Sequence, residues 1–242
     1  MRLRLKYKSC LLTRTDIWGD LIKKKKFFKR KWSTILRIVK SKRRYRRHQY
    51  QRVYKDYNFI QTRTRPNTVF KYKKWSLRNS LSARLCLKRF YGDLKEKPFK
   101  ALCRKLWHQP KPAYALIRTL ESRLDTTLYR LAFFSSIPFS AQAINHGKVL
   151  VNGVVVTSAS YQIKRGDLIE ISPKYRSIIK ARMMSLFAMR YPRWKVPTNL
   201  SWLEVNYPTM SFIVLDNVDP RQVFYPFRVN FDNILWFSKF GS

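Results

Sequence analysis

The sequence predicts an α+β fold, in which a basic helical N-terminal part precedes two helices packed on a small antiparallel sheet. Three observations support this prediction: leucines at helical spacing after residue 116, a hairpin signal at Asn152-Gly153, and a later β-branched run. An aromatic-rich tail follows. Hydrophobic residues make up 45% of the 242-residue chain, which is enough for a packed core.

A leucine stripe predicts the first helix of this module, with Glu121 near its start and Arg130 near its end, as the helix dipole favours. The stripe consists of Leu120, Leu124, Leu128 and Leu131. A second helix is expected to begin near Pro138 and to end at Asn145-His146-Gly147.

The sheet is predicted from three short apolar runs. Val149-Leu150-Val151 and Val154-Val155-Val156 flank Asn152-Gly153, which indicates a hairpin with a type I′ turn. The third run, Leu168-Ile169-Glu170-Ile171, follows the turn Arg165-Gly166-Asp167.

Two further helices are predicted upstream. Leu77, Leu81 and Leu85 recur at helical spacing, and so do Phe99, Leu102 and Leu106. Tyr91-Gly92-Asp93 is expected to join the two helices, and Pro110 and Pro112 mark a break before the next one.

The charge of the chain is extreme and uneven. Fifty-two Lys and Arg against thirteen Asp and Glu give a formal net charge of +39. Residues 1–112 carry 36 basic and 5 acidic residues, and residues 113–242 carry 16 and 8. Because such an excess destabilises a compact monomer by self-repulsion, it predicts a polyanionic partner, most commonly nucleic acid.

Basic blocks alternate with aromatic residues at 23–32 and 42–47. Lys and Arg neutralise phosphates, and aromatic rings stack on unpaired bases, so these blocks predict RNA contacts. The candidates are Lys24, Lys25, Arg43, Arg44, Arg46 and Arg47. A solvated charge run or a localisation signal is the alternative. A cleaved presequence is disfavoured, since the first 30 residues are Ser-poor and contain Asp16 and Asp20.

Other classes are excluded by what the sequence lacks. It has no run of 18 apolar residues, so no membrane span or membrane partner is expected. Cys10, Cys86 and Cys103 are scattered, which indicates free thiols. The sequence also lacks a P-loop and a G-x-G-x-x-G motif, and carboxylates are sparse, so no enzyme is expected.

The central region resembles the S4 RNA-binding domain, and more narrowly the small-subunit ribosomal protein S4 family. The resemblance covers about residues 84–172. It is carried by Glu121-Ser122-Arg123-Leu124-Asp125, Tyr129-Arg130-Leu131, Asn145 to Gly153, Ser160-Tyr161 and Lys164 to Ile169, with Phe90-Tyr91-Gly92, Leu94, Glu96, Phe99 and Leu102 upstream.

The family places its RNA-facing surface on the two helices and the turn after them. The resemblance therefore implies RNA contacts at Arg123, Arg130, Gln142, His146, Lys148, Lys164 and Arg165. Arg123 and Arg130 are expected to point away from the leucine face. His146 could equally help to end its helix, and Asp125 is expected to pair with a nearby cation.

The chain departs from the family pattern at two places. Ala141 stands where the family usually has Arg, so one phosphate contact is missing. The N-terminal cysteine cluster of some members is absent, so no zinc and no other cofactor is expected. Leu203-Glu204-Val205 resembles the closing segment of the family, and the rest of the tail is most similar to mitochondrial versions. Such a tail could pack on its own domain or bind a protein partner.

The resemblance implies a structural constituent of the small ribosomal subunit, in the mitochondrion before the chloroplast or the bacterial cytoplasm. Its partners would be small-subunit rRNA, neighbouring ribosomal proteins and mRNA near its entry path. The alternative is a non-ribosomal RNA-binding factor with the same domain. The expected segments are a basic extension (1–83), a helical segment (84–120), the RNA-binding domain (121–172) and an aromatic-rich extension (173–242).

Overall fold

A computed structural model describes residues 8–13, 15–18, 33–38, 77–188, 200–223, 225, 227 and 229–240. The helices are α1 (Lys8–Thr13), α2 (33–38), α3 (Leu77–Phe90), α4 (Glu96–Leu106), α5 (Pro112–Glu121), α6 (Leu124–Arg130), α7 (Ile137–Asn145), α8 (Pro173–Ala188) and α9 (Phe231–Phe240), with a 3₁₀ turn at Pro220–Gln222. The strands are β1 (Val149–Val151), β2 (Val154–Val155), β3 (Leu168–Ile171), β4 (Leu203–Asn206) and β5 (Ser211–Val214).

The chain divides into two compact units. The first consists of residues 1–113 together with 221–242, and the second of residues 114–220. The C-terminal helix α9 therefore belongs with the N-terminal helices, and strands β4 and β5 belong with the predicted RNA-binding module. These units cut across the segments expected from the sequence, since the aromatic-rich extension contributes to both.

The described part of the first unit is held together by aromatic packing. Tyr91 and Tyr225 share a hydrogen bond of 2.5 Å between their hydroxyls, although 134 positions separate them. The ring of Phe90 packs edge-on against Tyr91, Tyr225 and Phe227, at centroid distances of 5.1 to 5.7 Å. Trp18 stacks on Phe90 from the other end of the chain.

Helices α3, α4 and α9 meet at Arg84, which is buried. Its guanidinium pairs with Glu96 and lies over the rings of Phe99 and Phe237, with 5.9 and 5.6 Å from Cζ to the centroids. Burial raises the pKa of the neighbouring Cys103 thiol, so this cysteine stays protonated. Cys10, Cys86 and Cys103 are all buried, and none of the three forms a disulfide.

The boundaries of α3 and α4 confirm the two helices predicted upstream, but the buried face of α3 differs from the predicted one. Leu81 is 46% exposed, whereas Cys86, Leu87 and Phe90 are buried. The spacing of Leu77, Leu81 and Leu85 was misleading because residues that contact α1 and α9, including Arg84, form the interior side of this helix.

The second unit is built on a five-stranded antiparallel sheet with the strand order β2-β1-β3-β5-β4. β1 to β3 confirm the predicted small sheet. The tail extends it, because Ile169 of β3 pairs with Phe212 of β5. Phe133 packs against Phe212 and Tyr207, at 6.1 and 5.8 Å between ring centroids. Of the two uses left open for the tail, packing on its own domain is therefore realised by β4 and β5.

The predicted single helix through the leucine stripe is wrong, because the chain breaks at Ser122-Arg123 and forms α5 and α6. Arg123 is extended, with φ −73° and ψ 138°. The amides of Leu124 and Asp125 donate to the carbonyls of Tyr161 and Ala159 instead of continuing a helix. All four leucines of the stripe are nevertheless buried.

The hairpin turn has the predicted geometry, with φ of +51° at Asn152 and +80° at Gly153. The side chain of Asn152 does more than was foreseen. Its Nδ2 donates to Asp167 at 3.1 Å, and its Oδ1 accepts from the Leu168 amide at 2.9 Å. Asn152 therefore ties the turn to the start of β3.

This turn yields a stability prediction for the full chain. Gly153→Val should lower the free energy of unfolding by roughly 1–3 kcal/mol, since a β-branched residue is strained at positive φ. Asn152→Gly keeps the backbone geometry but loses two side-chain hydrogen bonds, so it should cost about 1–3 kcal/mol.

Urea unfolding of both variants measures these losses, with the exposed Val155→Thr as the control. The control should stay within about 0.5 kcal/mol of the parent. A stable Asn152→Gly variant would show that the turn needs only its backbone conformation.

Candidate nucleic-acid interface

The helices of the candidate interface are held in place at the junction of α5 and α6. Thr127 Oγ1 donates to the carbonyls of Glu121 and Arg123, at 3.1 and 2.9 Å. From α6 the connection continues to α7, because Ser140 Oγ donates to the carbonyl of Asp125 at 2.6 Å. The two helices that should present the RNA-binding residues are thus joined by buried hydroxyls.

Arg130 lies in the interior of the module, unlike the expectation that it points to the surface. Its Nε and Nη2 donate to the two carboxylate oxygens of Glu121 at 2.9 and 2.6 Å, and the residue is only 8% exposed. The Glu121 side chain is buried as well. Since Glu121 lies in α5 and Arg130 in α6, this bidentate ion pair joins the two helices. The geometry gives Arg130 a structural role.

Arg123 is intermediate between the interior and the surface. Its Nε and Nη2 bind the two oxygens of Asp125 at 3.0 and 2.7 Å, which confirms that Asp125 pairs with a nearby cation. The Arg123 side chain remains 17% exposed. It can contact an anion only at the edge of this ion pair.

Gln142, His146 and Lys148 form the helix-end group. Gln142 and His146 are exposed and four residues apart, so their side chains share one side of α7. His146 is the C-cap residue of α7, and its amide makes a helical hydrogen bond to the Gln142 carbonyl at 3.1 Å. Gly147 has φ +65°, and a Cβ there would lie 3.2 Å from Val155, so glycine lets the chain turn directly into β1.

Lys164 and Arg165 form the loop group, and both are exposed. Asp167 holds this loop, because its carboxylate accepts from the Lys164 amide at 2.8 Å and from Asn152 Nδ2 at 3.1 Å. The loop group therefore lies at the Asn152 end of β1, whereas the helix-end group lies at the Lys148 end. At about 3.3 Å per residue, the two ends are roughly 13 Å apart.

Helix α8 adds cationic side chains that the sequence reasoning missed. Lys148 Nζ lies 4.7 Å from the ring centroid of Tyr175, and Arg182 Cζ lies 5.3 Å from that of Phe139. These two contacts bring Tyr175 of α8 near the end of α7 and Arg182 near its start. Lys174, Lys180 and Arg182 are exposed on α8, which contains no acidic residue. The absence of carboxylates from this 16-residue segment was the available sequence signal.

Carboxylates within residues 114–188 are few and engaged. Glu121 and Asp125 hold Arg130 and Arg123, and Asp167 is bound by its own loop. Glu170 lies 3.8 Å from Arg176. The same segment contains ten Lys and Arg against these four acids, so its surface is positively charged. Such a surface suits phosphate binding.

The basic blocks near the N terminus, which were predicted to bind RNA, lie outside the described residues. Their candidate residues are Lys24, Lys25, Arg43, Arg44, Arg46 and Arg47. Within the described residues, no three His, Cys, Asp or Glu side chains are grouped as a metal site would require. No helix of the described part is long and apolar enough to cross a membrane.

A family model described as the S4 domain matches residues 122–169, which contain α6, α7 and β1 to β3. Residues 122–169 are an S4 domain. Its predicted RNA-facing side chains at Gln142, His146, Lys148, Lys164 and Arg165 all lie at least partly at the surface.

The chain is also similar to small ribosomal subunit proteins. It is 29% identical over 150 residues to protein uS4m of Reclinomonas americana, across 62% of this chain and 60% of that protein. It is 41% identical over 100 residues to uS4 of Rhizobium etli, across 41% of this chain and 49% of the relative. It is 38% identical over 130 residues to uS4 of Kosmotoga olearia, across 52% of this chain and 58% of that protein. The chain thus spans about half to three fifths of the length of these relatives.

The buried ion pair predicts a separation of stability from RNA binding. Arg130→Met leaves the Glu121 carboxylate buried and unpaired, so it should destabilise the full chain by about 3–5 kcal/mol. The double variant Glu121→Leu/Arg130→Met should recover most of the loss, because well-packed apolar residues often replace a buried pair without penalty.

Chemical unfolding of the single and double variants tests this prediction. Gln142→Ala serves as the matched control, since this exposed side chain should change stability by no more than about 0.5 kcal/mol. If Arg130→Met unfolded like the parent but bound RNA weakly, Arg130 would be a contact residue and the assignment to the interior would fail.

Proposed function

We propose that this protein is a structural constituent of the small ribosomal subunit, where it binds rRNA and supports subunit assembly and translation. The observation that carries the proposal is the positive surface of the S4 domain and α8, on which the four nearby carboxylates are already engaged. The similarity to proteins named as small-subunit constituents supports the choice of rRNA as the polyanion.

The proposed rRNA surface has two parts. The helix-end group lies beside the cationic residues of α8, and the loop group lies at the other end of β1. Arg123 is proposed to contribute at the edge of its ion pair. Arg130 is proposed to act indirectly, because its pair with Glu121 fixes the position of α6. The basic blocks at 23–32 and 42–47 are proposed to bind rRNA as well, since together they supply 12 positive charges.

A binding role is proposed in preference to a catalytic one. The carboxylates of the S4 domain hold arginines or backbone amides, so they are committed to structure instead of being positioned as bases. Neighbouring small-subunit proteins are further proposed partners. We also propose contact with mRNA near its entry path, because exposed cationic side chains bind single strands through the same phosphate interactions.

The mitochondrial ribosome is the proposed location. It is supported by the mitochondrial relative, which matches a longer stretch of this chain than the bacterial relatives cited above. Fractionation of organelles and detection of the protein with the small subunit would test this location against the chloroplast and the bacterial cytoplasm.

The alternative function is a non-ribosomal factor with an S4 domain. Sedimentation of ribosomal subunits from the native source discriminates between the two. The proposal expects stoichiometric recovery with small subunits after a high-salt wash. Recovery with large subunits, or only in substoichiometric amounts, would favour the alternative.

The proposed surface predicts a defined salt dependence. Replacing Lys148 and Lys164 with Gln in the full chain removes one charge from each part of the surface. The slope of log affinity against log salt should become shallower by about 0.7–0.9 for each lysine that contacts a phosphate.

Titration of small-subunit rRNA at several salt concentrations measures the slope. The control carries Arg at both positions, which keeps the charge and should keep the slope. An unchanged slope in the Gln variant would place the rRNA elsewhere on the protein.

A further inference from the structure

The five-stranded sheet of the second unit has two faces with different surroundings. Side chains alternate between the faces along each strand, and residues paired across strands share a face. Val151, Ile169 and Phe212 belong to the inner face and are buried. The residues of the outer face are exposed or half-buried, and they include Leu150, Val155, Leu168, Glu170, Glu204 and Ile213.

Apolar side chains form a continuous band across this outer face. Val155 pairs with Leu150, and Leu168 pairs with Ile213. Leu150 and Leu168 are diagonal neighbours on β1 and β3, so the band crosses four strands. Val155 is 52% exposed and Ile213 is 40% exposed. Because the solvated face of an antiparallel sheet normally carries polar side chains, an exposed apolar band of this extent indicates an interaction surface.

The charge of the outer face decides which partner it suits. None of the residues in the five described strands is Lys or Arg, although 52 of the 242 residues of the chain are. The charged residues of these strands are Glu170, which lies 3.8 Å from Arg176, and Glu204, which is exposed and has no ion pair with a described residue. RNA phosphates would be repelled by these carboxylates, whereas a cationic protein segment would be attracted.

We propose that the outer face of the sheet binds a segment of a neighbouring basic protein, whose apolar side chains cover the band and whose Lys or Arg pairs with Glu204. The inference rests on the proposed function, since proteins bound to the same rRNA must carry cations of their own. RNA and protein contacts of the second unit are then divided between two surfaces. They adjoin at the loop group, because the Gly166 amide donates to the Val214 carbonyl at 2.8 Å.

The first test compares Ile213→Lys with Thr157→Lys in the full chain. Each change adds one positive charge at an exposed position, and Thr157 lies outside the strands. The labelled variants compete with the parent for incorporation into small subunits reconstituted from rRNA and total small-subunit proteins. Ile213→Lys should be incorporated about fivefold less than the parent, because it places a cation against a basic partner. Thr157→Lys should compete equally.

Two further measurements separate this loss from unfolding and from loss of RNA binding. With rRNA alone as the probe, Ile213→Lys should bind at least as tightly as the parent, since it adds a cation and removes no phosphate contact. If Ile213→Lys lowers thermal stability, the competition is decided by Ile213→Thr. This variant keeps a β-branched side chain and adds no charge, and it should also be incorporated less than the parent.

Carbodiimide coupling in isolated native small subunits supplies an independent readout, because it joins a carboxylate to a lysine amine in direct contact. We expect Glu204 to be linked to a lysine of another small-subunit protein. The inference is overturned if Glu204 is linked only to lysines of its own chain, or if the folded Ile213 variants are incorporated like the parent. It is also overturned if folded Ile213→Lys binds rRNA alone more weakly, since RNA would then occupy this face. A parent chain that is not incorporated into small subunits would instead refute the proposed function.

Discussion

The ion pair between Arg130 and Glu121 is the interaction on which the S4 domain depends. It closes the junction where the chain leaves α5 and enters α6, and both carboxylate oxygens are used. A pair removed from water to this extent contributes little net stability compared with apolar packing, but losing one partner is severely destabilising. The main effect of the ion pair is to fix the position of α6 relative to α5. The amides after Arg123 are free to bond the 159–161 loop only because the helix is broken there, and α7 is attached to the same junction through Ser140.

This arrangement explains how an acid-poor chain can present a positive surface. The few carboxylates are drawn inward, where they hold an arginine or close a loop, so they do not neutralise the outer side chains. Electrostatic repulsion among the remaining cations lowers the stability of the free protein, and a polyanion relieves it. Binding and stability are consequently coupled, because a partner that binds only the folded state stabilises it.

The sequence predicted the parts of the fold that depend on local signals. The hairpin was predicted because Asn152-Gly153 suits positive φ, and the end of α7 because Gly147 can turn the chain. The break at Ser122-Arg123 could not be predicted, since it depends on hydrogen bonds to a loop almost forty residues further on. Strands β4 and β5 were missed for a similar reason, because β5 pairs with β3, which lies about forty residues earlier in the chain, and β4 pairs with β5.

The candidate site shows the same distinction between local and tertiary information. Gln142, His146, Lys164 and Arg165 were expected at the surface and are exposed. Arg130 could not be distinguished from them by sequence, because a surface arginine and a buried one differ only in whether a carboxylate meets them in space. The basic character of α8 could have been found from its composition, but its position near Lys148 and Phe139 depends on tertiary contacts.

The described aromatic residues include buried and exposed ones, and the sequence alone does not distinguish the two kinds. Phe90, Tyr91, Tyr225 and Phe227 form a core from residues more than 130 positions apart, so most of these aromatic residues hold the first unit together. A core aromatic is buried and touches other rings. Trp236 of α9 is exposed and so does not belong to this core. Burial and contacts with other rings, not aromatic content, are therefore the properties that identify a packing residue in a protein of this composition.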